Sequence, residues 1–177
     1  LFFKNQQNLA AKLRATALSL HAETVDRTLR KHLEEYFAAL LRDCYQVVSV
    51  LPPPDEVRLE SDKTTLVIVR PGAQANQLPI SEDWQAWWNQ QQYKNRVLFL
   101  TGSRDTFQKV LDSARQTRAL QSIEDEIEAE KTPSDDPQWR ALDVLRDRVG
   151  LQFTAALKEA FDNLIYPSIH SALRATG

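Results

Sequence analysis

The sequence predicts an α/β fold, in which a small, partly parallel sheet of about three strands is covered by helices and both ends of the chain are helical. Three observations lead to this prediction. The apolar run Arg96–Leu100 is typical of a strand that is buried on both faces. Thr101-Gly102-Ser103 turns the chain directly after it. From Phe107 onward, apolar residues recur about once per helical turn.

Two helices are predicted in the N-terminal part. The first runs from Asn5, its N-cap, to about Leu20, and the second runs from about Ala22 to Asp43. No glycine or proline separates them, so one long helix bent near Ser19–His21 also fits the pattern. The apolar positions that define the two helices are Leu9, Leu13, Ala17, Leu20, Val25, Leu29, Leu33, Phe37, Leu40 and Leu41.

Two strands and a short helix are predicted next. Cys44–Leu51 is rich in strand-forming residues and ends at Pro52-Pro53-Pro54, because each proline removes a backbone donor and restricts φ. Thr64–Val69 is the second strand, and Pro71-Gly72 ends it. A short helix then begins after Ser81, which we predict to be its N-cap.

Two longer helices follow the central strand. Ser103 is the predicted N-cap of the first, and Asp105 lies in its first turn, where the helix dipole favours an anion. This helix continues into the acidic run Glu124–Glu130. The last helix begins near Asp136-Pro137 and is ended or kinked by Pro167. Its apolar positions, one turn apart, are Leu145, Val149, Phe153, Leu157, Phe161 and Leu164.

The length and composition predict a single domain. Residues 1–177 divide into a helical lead (1–43), an α/β core (44–131) and C-terminal helices (132–177). With 42% hydrophobic and 26% charged residues the chain resembles a soluble globular domain, so we expect a cytoplasmic protein that does not enter the membrane. The chain contains no methionine, and its simplest interpretation is a fragment of a longer protein.

No motif predicts a catalytic, cofactor-binding or metal-binding residue. A phosphate-binding loop requires Gly-Lys-Ser/Thr, whereas Thr101-Gly102-Ser103 has one glycine and no lysine, which favours an ordinary turn. The three histidines lack the i, i+4 spacing of a helical zinc site. Cys44 is the only cysteine, which excludes an internal disulfide and a Cys-rich zinc site, and we expect it to be a small buried hydrophobe.

The tryptophan cluster of the short helix is a candidate partner interface. Trp84, Trp87 and Trp88 share one face of that helix because they are spaced i, i+3 and i+4. Aromatic residues are enriched at protein interfaces. Tryptophans at this spacing more often anchor a helix on its own domain, and the sequence leaves both interpretations open.

A stripe of basic residues around the central strand and helix is the candidate nucleic-acid surface. Binding of nucleic acid would depend on such a local patch, because the formal net charge of the chain is −2. Interspersed acidic residues weaken it, so an ordinary charged surface is the simpler interpretation. The stripe consists of Lys94, Arg96, Arg104, Lys109, Arg115 and Arg118.

Five segments, taken in order, carry a resemblance to a known family. They are Phe2–Leu9, Thr65–Pro71, Tyr93–Leu100, Ala114–Ile123 and the closing Ala160–Pro167. They resemble the region C-terminal to the ATPase core in large bacterial AAA-type ATPases of the BrxC/PglY kind, a family of unknown function that is linked to BREX phage defence. In that family Ala160–Pro167 would correspond to a closing helix.

The resemblance implies a non-catalytic accessory or interaction domain of a large bacterial P-loop ATPase that acts in defence against foreign DNA. ATP and Mg²⁺ would then be bound by the parent chain, and no ATP-binding residue is carried over to this sequence. The implied partners are the ATPase core of the same chain or other defence-system proteins. The alternative function is a nucleic-acid-binding module that uses the basic stripe.

Overall fold

The computed structural model describes residues 2–38, 43–72, 78–170 and 172–176. The chain divides into two compact units. We name the first the helical unit, which contains Leu1–Leu29 and Lys109–Leu157. The second, which we name the sheet unit, contains Arg30–Gln108 and Lys158–Gly177.

Five α-helices and five strands are present in the described residues. The helices are α1 (Phe2–Ser19), α2 (Ala22–Ala38), α3 (Glu82–Asn89), α4 (Arg104–Ala129) and α5 (Pro137–Ala160). The strands are β1 (Val47–Val50), β2 (Thr65–Ile68), β3 (Val97–Thr101), β4 (Asn163–Pro167) and β5 (Leu173–Ala175). The prediction of a mixed α/β fold is therefore confirmed.

The core of the helical unit is formed by apolar residues at helical spacing. Leu9, Leu13 and Ala17 of α1 are buried in one cluster with residues of α4 and α5. The predicted inward-facing positions of α1 are thus confirmed, except that Leu20 is only partly buried. The residues that α4 and α5 contribute are Ala119, Leu120, Ile123, Ile127, Ala141, Leu142, Leu145 and Val149.

The N-terminal helices begin and end differently from the prediction. The helical conformation breaks at Leu20–His21, so α1 and α2 are separate helices. Asn5 lies inside α1 and is not its N-cap, because asparagine costs too little inside a helix to stop it. Along α2 the predicted positions are buried as far as Phe37. The predicted positions Leu40 and Leu41 lie outside the described residues.

The sheet contains five strands, not about three. Its order is β1-β2-β3-β4-β5. β1, β2 and β3 are parallel to one another, whereas β4 is antiparallel to β3 and β5 is antiparallel to β4. The prediction of a partly parallel sheet is therefore confirmed. The two additional strands, β4 and β5, form the antiparallel side of the sheet.

The prediction that the C-terminal helix continues beyond Ala160 is wrong. Helix α5 begins at Pro137, as predicted, but ends at Ala160. Leu164 and Ile165 belong to β4, and Pro167 is the last residue of that strand, so it neither ends nor kinks a helix. The physical reason is tertiary: without β4 the edge of β3 would present unpaired backbone groups, and β4 pairs with it.

Cys44 is exposed and is not the buried hydrophobe that the sequence suggested. β1 begins only at Val47, so Cys44 lies in a turn before the strand. Tyr45 is buried instead, and its hydroxyl donates a hydrogen bond to the carbonyl oxygen of Phe37 at 2.8 Å. Burial, and secondly the neighbouring Cys44 thiol, raise the pKa of Tyr45 above its ordinary value.

Candidate functional site

The connections that follow β2 and β3 leave the sheet on opposite faces. The face that carries Val67 and Phe99 packs against the tryptophans of α3. Arg70 lies on the other face, because side chains alternate along a strand, and its guanidinium carbon is 5.5 Å from the ring centroid of Phe107 in the first turns of α4. The chain thus passes from β2 to α3 on one face and from β3 to α4 on the other.

Open α/β sheets bind ligands outside the carboxyl ends of their strands, at the place where two neighbouring connections leave the sheet on opposite faces. Here it lies between Arg70–Gly72, which follow β2, and Thr101–Ser103 at the end of β3. We name these two segments the switch point. It is the candidate site that the topology favours, and no sequence motif predicted it.

Two buried polar atoms lie beside the switch point. Thr101 is the last residue of β3, is fully buried, and stands opposite Asn163, the first residue of β4. Among the described residues, neither Oγ1 of Thr101 nor Oδ1 of Asn163 has a hydrogen-bond partner. A buried polar atom without a partner costs about 1–3 kcal/mol, so a water molecule or a polar group that bonded both atoms would be stabilised here.

Gly102 is required by the close approach of two backbone segments. A Cβ atom on Gly102 would lie 1.6 Å from the carbonyl oxygen of Ala160, the last residue of α5. The same Cβ would lie 3.4 Å from Oδ1 of Asp162. Since a backbone carbonyl cannot rotate away like a side chain, any larger residue would displace the end of α5. The glycine of the predicted turn therefore serves packing.

Ser103 caps α4, as predicted. Its Oγ accepts a hydrogen bond from the backbone N–H of Thr106 at 3.1 Å and lies 2.8 Å from the hydroxyl of the same residue. Asp105 lies in the first turn of α4, where it interacts favourably with the helix dipole. The geometry of Ser103 is that of an N-cap, which agrees with the turn chemistry that the sequence favoured over a phosphate contact.

The tryptophan cluster is buried in the sheet unit. Trp84, Trp87 and Trp88 are 7%, 9% and 3% exposed. The rings of Trp84 and Trp87 make edge contacts with Phe99 at centroid distances of 5.5 and 6.1 Å. Trp88 Nε1 donates a hydrogen bond to the carbonyl oxygen of Lys94 at 3.0 Å. In this conformation the three indoles pack in the core of the sheet unit, as the second of the two interpretations predicts.

The basic residues of the predicted stripe that belong to the sheet unit lie at the two ends of β3. Lys94 and Arg96 precede β3, whereas Arg104 follows it. The strand separates the two positions by about 16 Å, given the rise of ~3.3 Å per strand residue. The Lys94 ammonium lies 5.2 Å from the ring centroid of Trp88, where it contributes a cation–π contact. Lys94 and Arg96 therefore lie at one end of β3 and Arg104 lies at the other.

The remaining residues of the predicted stripe, Lys109, Arg115 and Arg118, belong to the helical unit. Nη1 of Arg115 donates hydrogen bonds to the carbonyl oxygens of Ala17 and Leu20, at 3.1 and 3.0 Å. These carbonyls lie at the end of α1, where the helix leaves carbonyl groups without i+4 partners, so the guanidinium caps that helix. The Ala17 carbonyl also accepts a hydrogen bond from the N–H of Leu20 at 3.3 Å. Nη1 of Arg118 donates to Oγ of Ser122 at 3.2 Å. Arg115 thus has a structural role, which sequence spacing could not reveal.

Comparison with known proteins gives no relative: no protein-family model, no curated protein and no solved structure matches this chain. Within the described ranges, no three His, Cys, Asp or Glu side chains are grouped so that they could hold a metal ion. None of the described helices combines the length and the apolar character that crossing a bilayer requires.

Proposed function

We propose that this chain is a non-catalytic accessory domain of a large bacterial P-loop ATPase, and that the ATPase acts in defence against foreign DNA. In this proposal the ATPase core binds ATP and Mg²⁺. The accessory domain packs on that core, or presents a surface to another defence-system protein, and so couples nucleotide turnover to a partner.

The observation that carries the proposal is the position of the segments that resemble the BrxC/PglY-like ATPases. Thr65–Pro71 contains β2, Tyr93–Leu100 runs into β3, and Ala160–Pro167 contains β4. These strands are neighbours in the sheet. Three of the five segments therefore contribute neighbouring strands of the sheet, whereas Phe2–Leu9 and Ala114–Ile123 belong to the helical unit. The last segment forms a strand here and a helix in the family.

Two features of the sequence and the site support a non-catalytic role. None of the four glycines is followed by lysine, as a phosphate-binding loop of the Walker type requires. Ser103, in the turn that comes nearest to such a loop, is used as the N-cap of α4. We therefore propose that ATP hydrolysis depends on residues outside this chain.

Surface residues outside the tryptophan cluster are further candidates for the contact of the proposed domain. Exposed apolar side chains are the natural probes, because burying them in a complex is favourable and mutating them leaves the core intact. Ile169, between β4 and β5, is 95% exposed, and Leu18 of α1 is 83% exposed. Ile169 belongs to the sheet unit, and Leu18 belongs to the helical unit.

The test uses the intact parent protein, whose gene is sequenced on both sides of the present chain. We expect a P-loop in the parent and ATP turnover that changes when residues 1–177 are deleted. Ile169→Ser and Leu18→Ser, each in the intact parent, serve as a matched pair that assigns the contact to one unit. Both are expected to leave the denaturation midpoint unchanged.

Three results would contradict the proposal. The first is a parent protein without a P-loop, and the second is ATP hydrolysis by the 177-residue chain alone. The third is tight binding of DNA by this chain with a steep dependence on salt, because phosphate contacts release counterions. That last result would favour a nucleic-acid-binding module instead.

A further inference from the structure

We draw no further inference here: the strongest candidate, the pair of buried polar atoms Thr101 Oγ1 and Asn163 Oδ1 at the carboxyl end of β3, belongs to the site already described, and nothing in the structure shows which ligand chemistry would satisfy them.

Discussion

The helical unit and the sheet unit build their cores from different kinds of side chain and from segments at different distances along the chain. In the helical unit, residues such as Leu9, Leu13 and Ala17 follow one another at helical spacing, and most of the side chains in the core are leucine, alanine or isoleucine. In the sheet unit, Phe99 of β3 stands opposite Ile165 of β4, which is more than sixty residues away in the chain. Large aromatic rings from α3 then cover this pair.

This difference predicts where single substitutions are most harmful. The core of the helical unit is built from aliphatic side chains, and hydrogen bonds such as those of Arg115 cap the end of α1. The sheet unit depends on a close backbone approach at Gly102 and on a few bulky side chains such as Trp87. Substitutions at these two positions should therefore cost more free energy than capping changes in the helical unit.

The largest effect is expected for Gly102→Ala. The added Cβ would lie 1.6 Å from the Ala160 carbonyl oxygen, so the end of α5 must move. We expect a loss of about 5 kcal/mol or more in the free energy of unfolding, measured by chemical denaturation. Gly150→Ala is the matched control: it lies within α5 with open space around it, and should stabilise by about 0.5–1 kcal/mol. Equal midpoints for the two variants would refute the packing role of Gly102.

Trp87→Ala should have the next largest effect. Its ring contacts Trp84 at a centroid distance of 5.3 Å and is 9% exposed, so truncation leaves a cavity in the sheet unit. We expect a loss of about 3–5 kcal/mol in the free energy of unfolding. Leu18→Ala, at an exposed position, is the control and should change the midpoint little. A stable Trp87→Ala protein that loses a partner would instead establish the tryptophans as an interface.

In the helical unit, Arg115→Ala should have an intermediate effect. It removes two hydrogen bonds from the guanidinium to the carbonyl oxygens at the end of α1. Hydrogen bonds from charged groups contribute about 1.5–3 kcal/mol, and water can replace part of this at a half-buried site. We expect a loss of about 1–2 kcal/mol in thermal or chemical denaturation. Arg118→Ala, which removes one contact within α4, is the control. If both variants lose the same amount, Arg115 has no special capping role.

The smallest effect is expected for Lys131→Gly, and it is a gain. Lys131 has a φ of 54° just after α4, and its N–H donates to the carbonyl of Glu128. The N–H of Thr132 donates to the carbonyl of Ile127, which completes a Schellman cap. Glycine adopts this left-handed conformation without strain, so we expect about 1 kcal/mol of added stability. Lys131→Ala should give no gain; a gain of the same size would point to the loss of the lysine charge instead.

Much of the helical unit could be predicted from the sequence. The spacing of Leu9, Leu13 and Ala17 and the proline at the start of α5 are local signals, and each is found in the structure. The cap at Ser103, in the sheet unit, is a local signal of the same kind. Helical hydrogen bonds join residues four apart, so the pattern that creates the helix lies within one stretch of sequence. The position of Asn5 shows that the exact ends are less well determined.

The candidate site could not be predicted in this way. Thr101 and Asn163 meet only because β4 pairs antiparallel with β3. The sequence pattern predicts a helix through Asn163. The spacing of apolar residues shows that they share one face of a helix. It does not show whether that face is buried in the core or exposed to solvent. The burial of Trp84, Trp87 and Trp88 is an example.

The sequence by itself determined the α/β class, the approximate positions of the helices and of β1 to β3, and the turn at Gly102. Only the tertiary structure decided that Leu164 and Ile165 form a strand, that the tryptophans are buried, and that Arg115 caps α1. The physical reason is the range of the interactions. Helices and turns are specified by neighbours in the chain, whereas strand pairing and burial depend on segments that meet only when the chain has folded.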